Sequence, residues 1–409
     1  MNKVTEVEYL IIGCGMVGLS MAYQLLTRNI SKKVICIDKE KKLGMHSSGR
    51  NSGVLHAGLY YQTNSLKAKL CVKGAKRLRR YVEERDLPIN PCGKVIVPQS
   101  IYLDSQLDEL ARRGKSNGAK IEMWDKAQLK KFLPLANSSS GRALWSPNTC
   151  VVKPLKIIEN ISSEIKEKGG EILTYNNKNG TYQLDPEKSI LRFNNDLTIK
   201  YKHIINCAGL NADKIAHLFG VGLDYKIMPF KGLYWELKNS SSFRINTNLY
   251  PVPDLNVPFL GVHFTPSADK IPKITIGPTA TFAFGRENYN LFDSLEPISS
   301  LNNLTIIAKQ YLMNKGGFRK YVHEQSLLSF PPLLLNAAKS LIPSIKREDI
   351  KLSDKVGIRS QLFNTKKGQL ENDFICKNYN NSTHVLNAIS PAFTASFELA
   401  DYLIDNYII

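Results

Sequence analysis

Val7-Glu8-Tyr9-Leu10-Ile11-Ile12-Gly13-Cys14-Gly15-Met16-Val17-Gly18 decides the fold of this chain. The apolar run Glu8–Ile12 reads as a buried parallel strand, and it leads directly into Gly-x-Gly-x-x-Gly. Met16–Leu26 carries the apolar pattern of the helix behind it, and Lys33–Ile37 reads as the next strand. Gly13 allows the tight turn, Gly15 lets backbone approach a pyrophosphate, and Gly18 lets helix and strand pack closely. Asp38 lies 20 residues beyond Gly18, where an acid holds a ribose hydroxyl and disfavours a 2′-phosphate. The stretch predicts a dinucleotide-binding βαβ unit. By itself it does not separate FAD from NAD.

Working outward, Gly44-Met-His-Ser-Ser-Gly-Arg-Asn-Ser-Gly-Val-Leu-His-Ala-Gly58 is too polar and glycine-rich for core. It is read as a loop passing close to the cofactor, and it brings His46 and His56 with it. Leu66–Glu84 is a helical pattern with a basic face (Lys67, Lys69, Lys73, Lys76, Arg77, Arg79, Arg80), read as solvated. Cys92–Val97 reads as a strand, Ile101–Gly114 as a helix and Trp145–Pro154 as a turn-rich crossing segment. Leu155–Lys168 reads as a helix, and Gly170–Tyr175 and the run from His203 to Gly209 read as strands. Residues 225–300 are β-rich, and Leu301–Ile350 reads as helical. A strand, a turn at Ser390-Pro391 and a final helix close the chain.

Strand pieces of the nucleotide unit thus fall at the start, middle and end of the chain. The expected fold is α/β: a Rossmann-like FAD-binding domain (1–90, 145–220 and 350–409) with an interleaved β-rich, α+β substrate domain (91–144 and 221–349).

With 409 residues and 43% hydrophobic content, the chain can bury the cores of two domains. The seven scattered cysteines form no CxxC pair and fit neither a disulfide framework nor a zinc site, which points to a reducing compartment. There is no HExxH and no carboxylate/histidine cluster, so no metal is expected. A net charge of +19 fits either an anionic partner or a Lys-rich background composition. The basic residues are not interleaved with aromatics, which argues against nucleic acid. No apolar stretch is long enough to span a bilayer, and the N-terminus reads as neither a signal nor a transit peptide. The expected location is the cytoplasm. Peripheral attachment of the basic helix to anionic lipid on the inner face of the cell membrane is a further expectation.

Further segments identify a family. They are His46-x-Ser-Gly-Arg-Asn-Ser-Gly-Val-Leu-His56-Ala-Gly-Leu-Tyr60-Tyr61, Ser65-Leu-Lys-Ala-Lys-Leu-Cys71, Cys92-Gly-Lys94 and Pro229-Phe-Lys-Gly232. Tyr250-Pro-Val-Pro-Asp254, Gly261-Val-His-Phe-Thr-Pro266, Gly357-Ile-Arg359-x-Gln361 and Ser390-Pro-Ala-Phe-Thr-Ala395 follow in order. On these the chain resembles the L-2-hydroxyglutarate dehydrogenase/oxidase family, within the glycine oxidase/D-amino acid oxidase superfamily of flavoproteins. It departs from the family where Cys150-Val-Val-Lys153 replaces Gly-x-Val-Asp, and where Lys231 stands in place of the Arg of many relatives.

The resemblance implies FAD and oxidation of a 2-hydroxy dicarboxylic acid. The electrons would pass to a membrane quinone or to oxygen. The cofactor residues it implies are Gly13, Gly15, Gly18, Asp38, Lys39, Ser48, Asn51, Ser52, Ala208 and Gly209, with Ser390, Pro391, Ala392, Phe393 and Thr394 at the flavin pyrimidine edge. His56 and His263 are both candidates for the base that takes the hydroxyl proton, since neutral imidazole titrates in the right range. Arg359 can grip a carboxylate bidentately, with Lys231, Tyr60, Tyr61 and Tyr250 as further substrate contacts. His46 reads as shaping its loop. The alternatives are a flavin amine oxidase of the same superfamily and, ranked lower, a tRNA-modifying flavoprotein or an NAD dehydrogenase.

Overall fold

A computed structural model describes residues 3–175, 182–193, 197–253, 260–290, 293–314, 319, 323, 328 and 330–409. In it the opening run extends to a strand, Lys3–Ile12, followed by the helix Met16–Thr27 and the strand Val34–Asp38. The chain divides into two compact units: residues 1–50, 154–228 and 360–409, and residues 51–153 and 229–359.

The first unit is a Rossmann-like sheet. Lys3–Ile12 lies parallel to Leu197–Asn206 on one side and to Val34–Asp38 on the other, and Glu171–Thr174 continues the parallel order beyond Val34–Asp38. Leu10, Ile12, Ile35, Ile37, Ile199 and Ile204 are buried together there, as continuous apolar runs in a sheet covered on both faces must be. Ser382–Asn387 joins Leu197–Asn206 in parallel. The final helix, Ala392–Tyr407, packs on Met16–Thr27 through Tyr23 and Phe397, whose ring centroids are 5.6 Å apart. Arg28 at the end of the first helix pairs with Asp401 and Asp405 of the last.

In the second unit Lys94–Val97 lies between Ala143–Ser146, antiparallel, and Asn248–Pro251, parallel. His263–Pro266 and Ile274–Gly277 extend the sheet beyond Asn248–Pro251. Val95, Val97, Leu249, Phe264 and Ile276 form its core with Leu334, Leu341 and Ile350.

The units divide the chain differently from the sequence-based boundaries. Residues 51–90 and 145–153 belong to the second unit. Val54–Leu55 and Ile89–Asn90 both pair with Cys150–Val152, and Ala57 and Leu59 pack on Ile96, Leu107 and Leu144. Residues 221–228 join the first unit, where Ile227 packs with Leu362 and Leu386. Residues 350–359 join the second, where Ile350 packs beside Leu341 and Ile345.

The crossing segment from Trp145 is not merely turns, for it holds the end of one strand and a second strand, Cys150–Val152. The helical stretch predicted for 301–350 contains the helices Pro297–Met313 and Pro331–Leu341, and a strand begins at Ile350. Pro297–Met313 is inverted: it buries Ser300, Asn303 and Gln310 while Ile298, Leu301 and Leu312 face solvent. Asp254 and residues 176–178 lie outside the described residues. Among the described residues no helix is long and apolar enough to cross a membrane.

Candidate active site

In the first unit the sheet's C-terminal edge builds a glycine-only cradle. Gly13 sits at φ +100°, and a Cβ there would lie 2.5 Å from the Cys207 carbonyl oxygen. A Cβ on Gly18 would lie 2.0 Å from the Gly13 oxygen, so helix and turn close only without side chains. Gly15 faces Ser48, whose Oγ accepts the Met16 N–H at 2.9 Å. The polar loop therefore reaches back to the helix N-terminus. Asp38 accepts the Cys14 N–H (2.8 Å) on one oxygen and the Glu40 N–H (2.9 Å) on the other. Burial raises its pKa, and the two amides oppose that rise. Each oxygen keeps a second lone pair for a hydroxyl donor.

Lys39 pairs with Glu40 at 2.6 Å, and His46 Nε2 lies 3.0 Å from the same carboxylate. The His46 carbonyl accepts the Gly49 and Arg50 amides, so His46 shapes its loop. Asn51 Oδ1 accepts the Gly53 N–H at 2.8 Å, an Asx turn, and Ser52 lies half-buried within it. The Ala208 N–H donates to Asn206 Oδ1, and Gly209 opens a short 3₁₀ turn into the helix Ala212–Leu218. The last helix starts at Ala392. Pro391 is the N-cap, no side chain caps the helix, and the Ala392 N–H donates to the Ile389 carbonyl at 2.8 Å.

The second unit gathers its ionisable groups around Lys94. Asn248 locks the segment before it, with Nδ2 donating to the Gly93 oxygen at 2.7 Å and contacting Cys92 Sγ at 3.2 Å. Gly93 is at φ +64° with the Trp145 ring against its Cα, and a Cβ there would be 1.9 Å from that ring. Cys92-Gly-Lys94 is therefore a fixed strand entry, and it delivers Lys94 to the interior at 0% exposure. Its Nζ lies 4.2 Å from the Tyr250 ring centroid and 5.2 Å from that of Tyr60, and it has no hydrogen-bond partner. Burial drives its pKa down to about 7. Tyr60 also buries its hydroxyl without a hydrogen-bond partner, and burial pushes its pKa well up.

His263 stacks on Tyr250, with centroids 3.8 Å apart and planes 17° apart. Its Nδ1 lies 2.8 Å from the Gly261 oxygen. A carbonyl only accepts, so Nδ1 carries the proton and Nε2 keeps its lone pair. Burial takes its pKa down to about 3, with Lys94 adding to the fall and the Gly261 carbonyl opposing it. His56 is buried, and its carbonyl accepts the Cys71 thiol at 3.2 Å. Burial lowers its pKa well below the usual value, and Lys94, His263, Arg359 and Lys67 lower it further. Both imidazoles are neutral at physiological pH.

His56, His263, Tyr60, Tyr250 and Arg359 are thus brought together. Lys231 instead donates to Asn288 Oδ1 at 2.8 Å and to the Asn290 carbonyl at 3.4 Å. The Tyr61 ring lies 5.8 Å from Lys67 Nζ. Sequence reasoning missed Lys94 and Lys67 as site residues. Lys67 was placed on a solvated face and is only 5% exposed. The helical spacing of Lys67, Cys71, Gly74, Leu78 and Val82, all buried, is the signal that could have found it. Among the described residues no carboxylate acts on Lys94 or His263. The cluster is cationic and closed to water, so its natural complement is an anion.

Residues 8–406 match the FAD dependent oxidoreductase family. The L-2-hydroxyglutarate dehydrogenase of Caenorhabditis elegans is 35% identical over 402 residues, 96% of this chain and 91% of that one. The chain belongs to the L-2-hydroxyglutarate dehydrogenase family of FAD dependent oxidoreductases. Other members of this family include the Homo sapiens enzyme (33% identical, covering 98% of this chain and 89% of that one) and that of Indibacter alkaliphilus (34%, 96% and 97%). The family fold is shared with an FAD-bound L-alpha-glycerophosphate oxidase from Mycoplasma pneumoniae (TM-score 0.74, 21% identity, covering 98% of this chain and 94% of that one). Glycine oxidase from Geobacillus kaustophilus is similar at TM-score 0.70 and 15% identity, again covering 98% and 94%.

Proposed function

We propose that this chain oxidises L-2-hydroxyglutarate to 2-oxoglutarate with FAD as cofactor. The observation that carries the substrate half is the buried cluster of the second unit, where Lys94, Lys67 and Arg359 act on His56 and, among the described residues, no acid answers Lys94. A dicarboxylate supplies the missing charge. The cofactor half rests on the family and on a cradle that a single methyl group would fill at Gly13, Gly15 or Gly18.

FAD, when bound, supplies the hydride acceptor. The glycine turn and the N-terminus of the helix Met16–Thr27 would face the pyrophosphate, and Asp38 would keep lone pairs for a ribose hydroxyl. Lys39, Ser48, Asn51, Ser52, Ala208 and Gly209 complete the cofactor contacts. The first turn of the last helix, Ser390–Thr394, which no side chain caps, would lie at the flavin pyrimidine edge with the positive end of the helix dipole toward the ring.

Arg359 grips one carboxylate. His56, on which the surrounding cations converge, takes the hydroxyl proton as the C2–H leaves as hydride, and a ketone results. A neutral imidazole among cations has little tendency to pick up a proton before substrate arrives. The dicarboxylate offsets those cations and restores its basicity at the moment it is needed. His263, with its tautomer fixed by Gly261 and its plane fixed by Tyr250, orients the hydroxyl. Tyr60 and Tyr250 wall the site, and Lys231 and Tyr61 act at its margin.

The electrons pass to a membrane quinone or to oxygen. Peripheral membrane contact is supported by the exposed Lys69, Lys73, Lys76 and Arg80 of the helix Leu66–Glu83, and by the apolar outer face of Pro297–Met313. The deciding experiment is anaerobic addition of L-2-hydroxyglutarate to the purified yellow protein. The expected result is loss of visible flavin absorbance with stoichiometric 2-oxoglutarate. Bleaching by glycine or D-alanine alone would transfer the chain to the amine oxidases. Quinone reduction compared with oxygen uptake then identifies the acceptor.

A further inference from the structure

Lys94 is a fully buried cationic group of the second unit that the reaction scheme leaves without a task. Holding an ammonium at 0% exposure without a hydrogen-bond partner is expensive for a fold. The groups facing it are Tyr250 from the neighbouring strand, Tyr60 from the loop after His56, Cys71 from the helix Leu66–Glu83, and Cys92 ahead of its own strand. Its charge also reaches both His56 and His263. None of these is an acid. Two aromatic faces stabilise a cation, but they do not replace a carboxylate.

Resting on the reading that the substrate is a hydroxy dicarboxylate, we propose that Lys94 is the residue that selects dianions over monoanions. Its ammonium answers the carboxylate that Arg359 does not, and the pair is completed by a proton taken from solvent as the ligand enters. A monocarboxylate 2-hydroxy acid leaves Lys94 unanswered, so it is disfavoured by the ion pair it does not form rather than by shape. Burial holds the empty-site ammonium near neutrality, so above about pH 7 ligand binding and proton uptake are one event.

Two measurements on the FAD-loaded protein test this. In the first, kcat/KM for L-2-hydroxyglutarate is compared with that for L-2-hydroxyvalerate, which lacks the second carboxylate. The ratio is expected to fall by roughly 100-fold in Lys94→Met and to be largely kept in Lys94→Arg. An unchanged ratio in Lys94→Met overturns the proposal. The second needs no variant. Glutarate, which has no hydroxyl to oxidise, is titrated calorimetrically at about pH 8 in buffers of different ionisation heat. The wild type is expected to take up close to one proton per glutarate, since a group titrating at about 7 is mostly neutral there. Lys94→Arg, always charged, is expected to take up none. Absence of uptake by the wild type overturns the proposal even if every Lys94 variant fails to fold. If L-2-hydroxyglutarate does not bleach the wild-type flavin, the functional reading itself fails. If it does and the ratio and proton count do not move, only the role of Lys94 fails.

Discussion

Replacing Lys94 with methionine should stabilise the empty protein, and the gain should depend on pH in a way that no packing effect imitates. Lysine ordinarily titrates at 10.5, and in this site burial takes Lys94 down to about 7. At 1.36 kcal/mol per unit, the difference amounts to about 5 kcal/mol against the folded state. The sign follows from proton counts. Between about 7 and 10.5 the unfolded chain holds a proton that the folded chain has lost, so wild-type stability rises with pH across that window. Below it both states are protonated and the full penalty stands. Methionine is unbranched and of similar volume, and it carries no such penalty. The expected gain is about 5 kcal/mol at about pH 6, shrinking to about 2 kcal/mol at about pH 9. Urea midpoints read under reversible conditions, without substrate analogues, measure it. A gain that is flat across that range would show that Lys94 does not titrate as its burial requires, and the reasoning would be wrong. Glutarate should reduce the advantage of the variant, because only the wild type has an ammonium to offer it.

Other outcomes follow from the same geometry. Gly18→Ala places a methyl 2.0 Å from the Gly13 oxygen, so the purified protein should be colourless, as judged by its visible spectrum. Asp38→Ala removes the acceptor of the Cys14 and Glu40 amides, and FAD should bind roughly 10- to 100-fold more weakly in equilibrium dialysis. His56→Gln should slow flavin reduction in stopped flow by roughly 10²- to 10⁴-fold, with glutarate affinity little changed. His263→Gln, which loses an orienting group rather than the base, should slow it about 10-fold; the reverse order would exchange the two roles. In the wild type, kcat/KM for the dicarboxylate should decline as pH rises through about 7, as the unliganded Lys94 loses its proton.

The nucleotide unit was legible because its signals are local. A strand, three glycines and an acid at fixed spacing each have one mechanical use. The loop Gly44–Gly58 is expected beside the cofactor from the same kind of local signal, and its Ser48 reaches the helix N-terminus. Lys94 was not legible, because its burial is decided by two strands more than 45 residues away, Ala143–Ser146 and Asn248–Pro251. A lysine heading Lys-Val-Ile-Val looks like a strand end turned to water. Lys67 was hidden differently. Charge was allowed to define the helix face, whereas the small and apolar residues at its own helical spacing show that it sits on the buried stripe. The different division at 51–90 has a similar cause. Nothing local in Val54–Leu55 says that its partner is Cys150–Val152.

Seven thiols, none exposed and none paired, are spread over both units: Cys14, Cys36, Cys207 and Cys376 in the first, Cys71, Cys92 and Cys150 in the second. Burial pushes Cys71, Cys150 and Cys376 up to about 12 and Cys92 to about 11, so these four present almost no thiolate to an alkylating reagent. Labelling of the five buried thiols must wait for an opening, whereas Cys207 and Cys376 are half-buried. Mass-resolved alkylation of the native protein therefore maps the order in which its parts breathe, with a clock already built into each unit and no probe to be engineered.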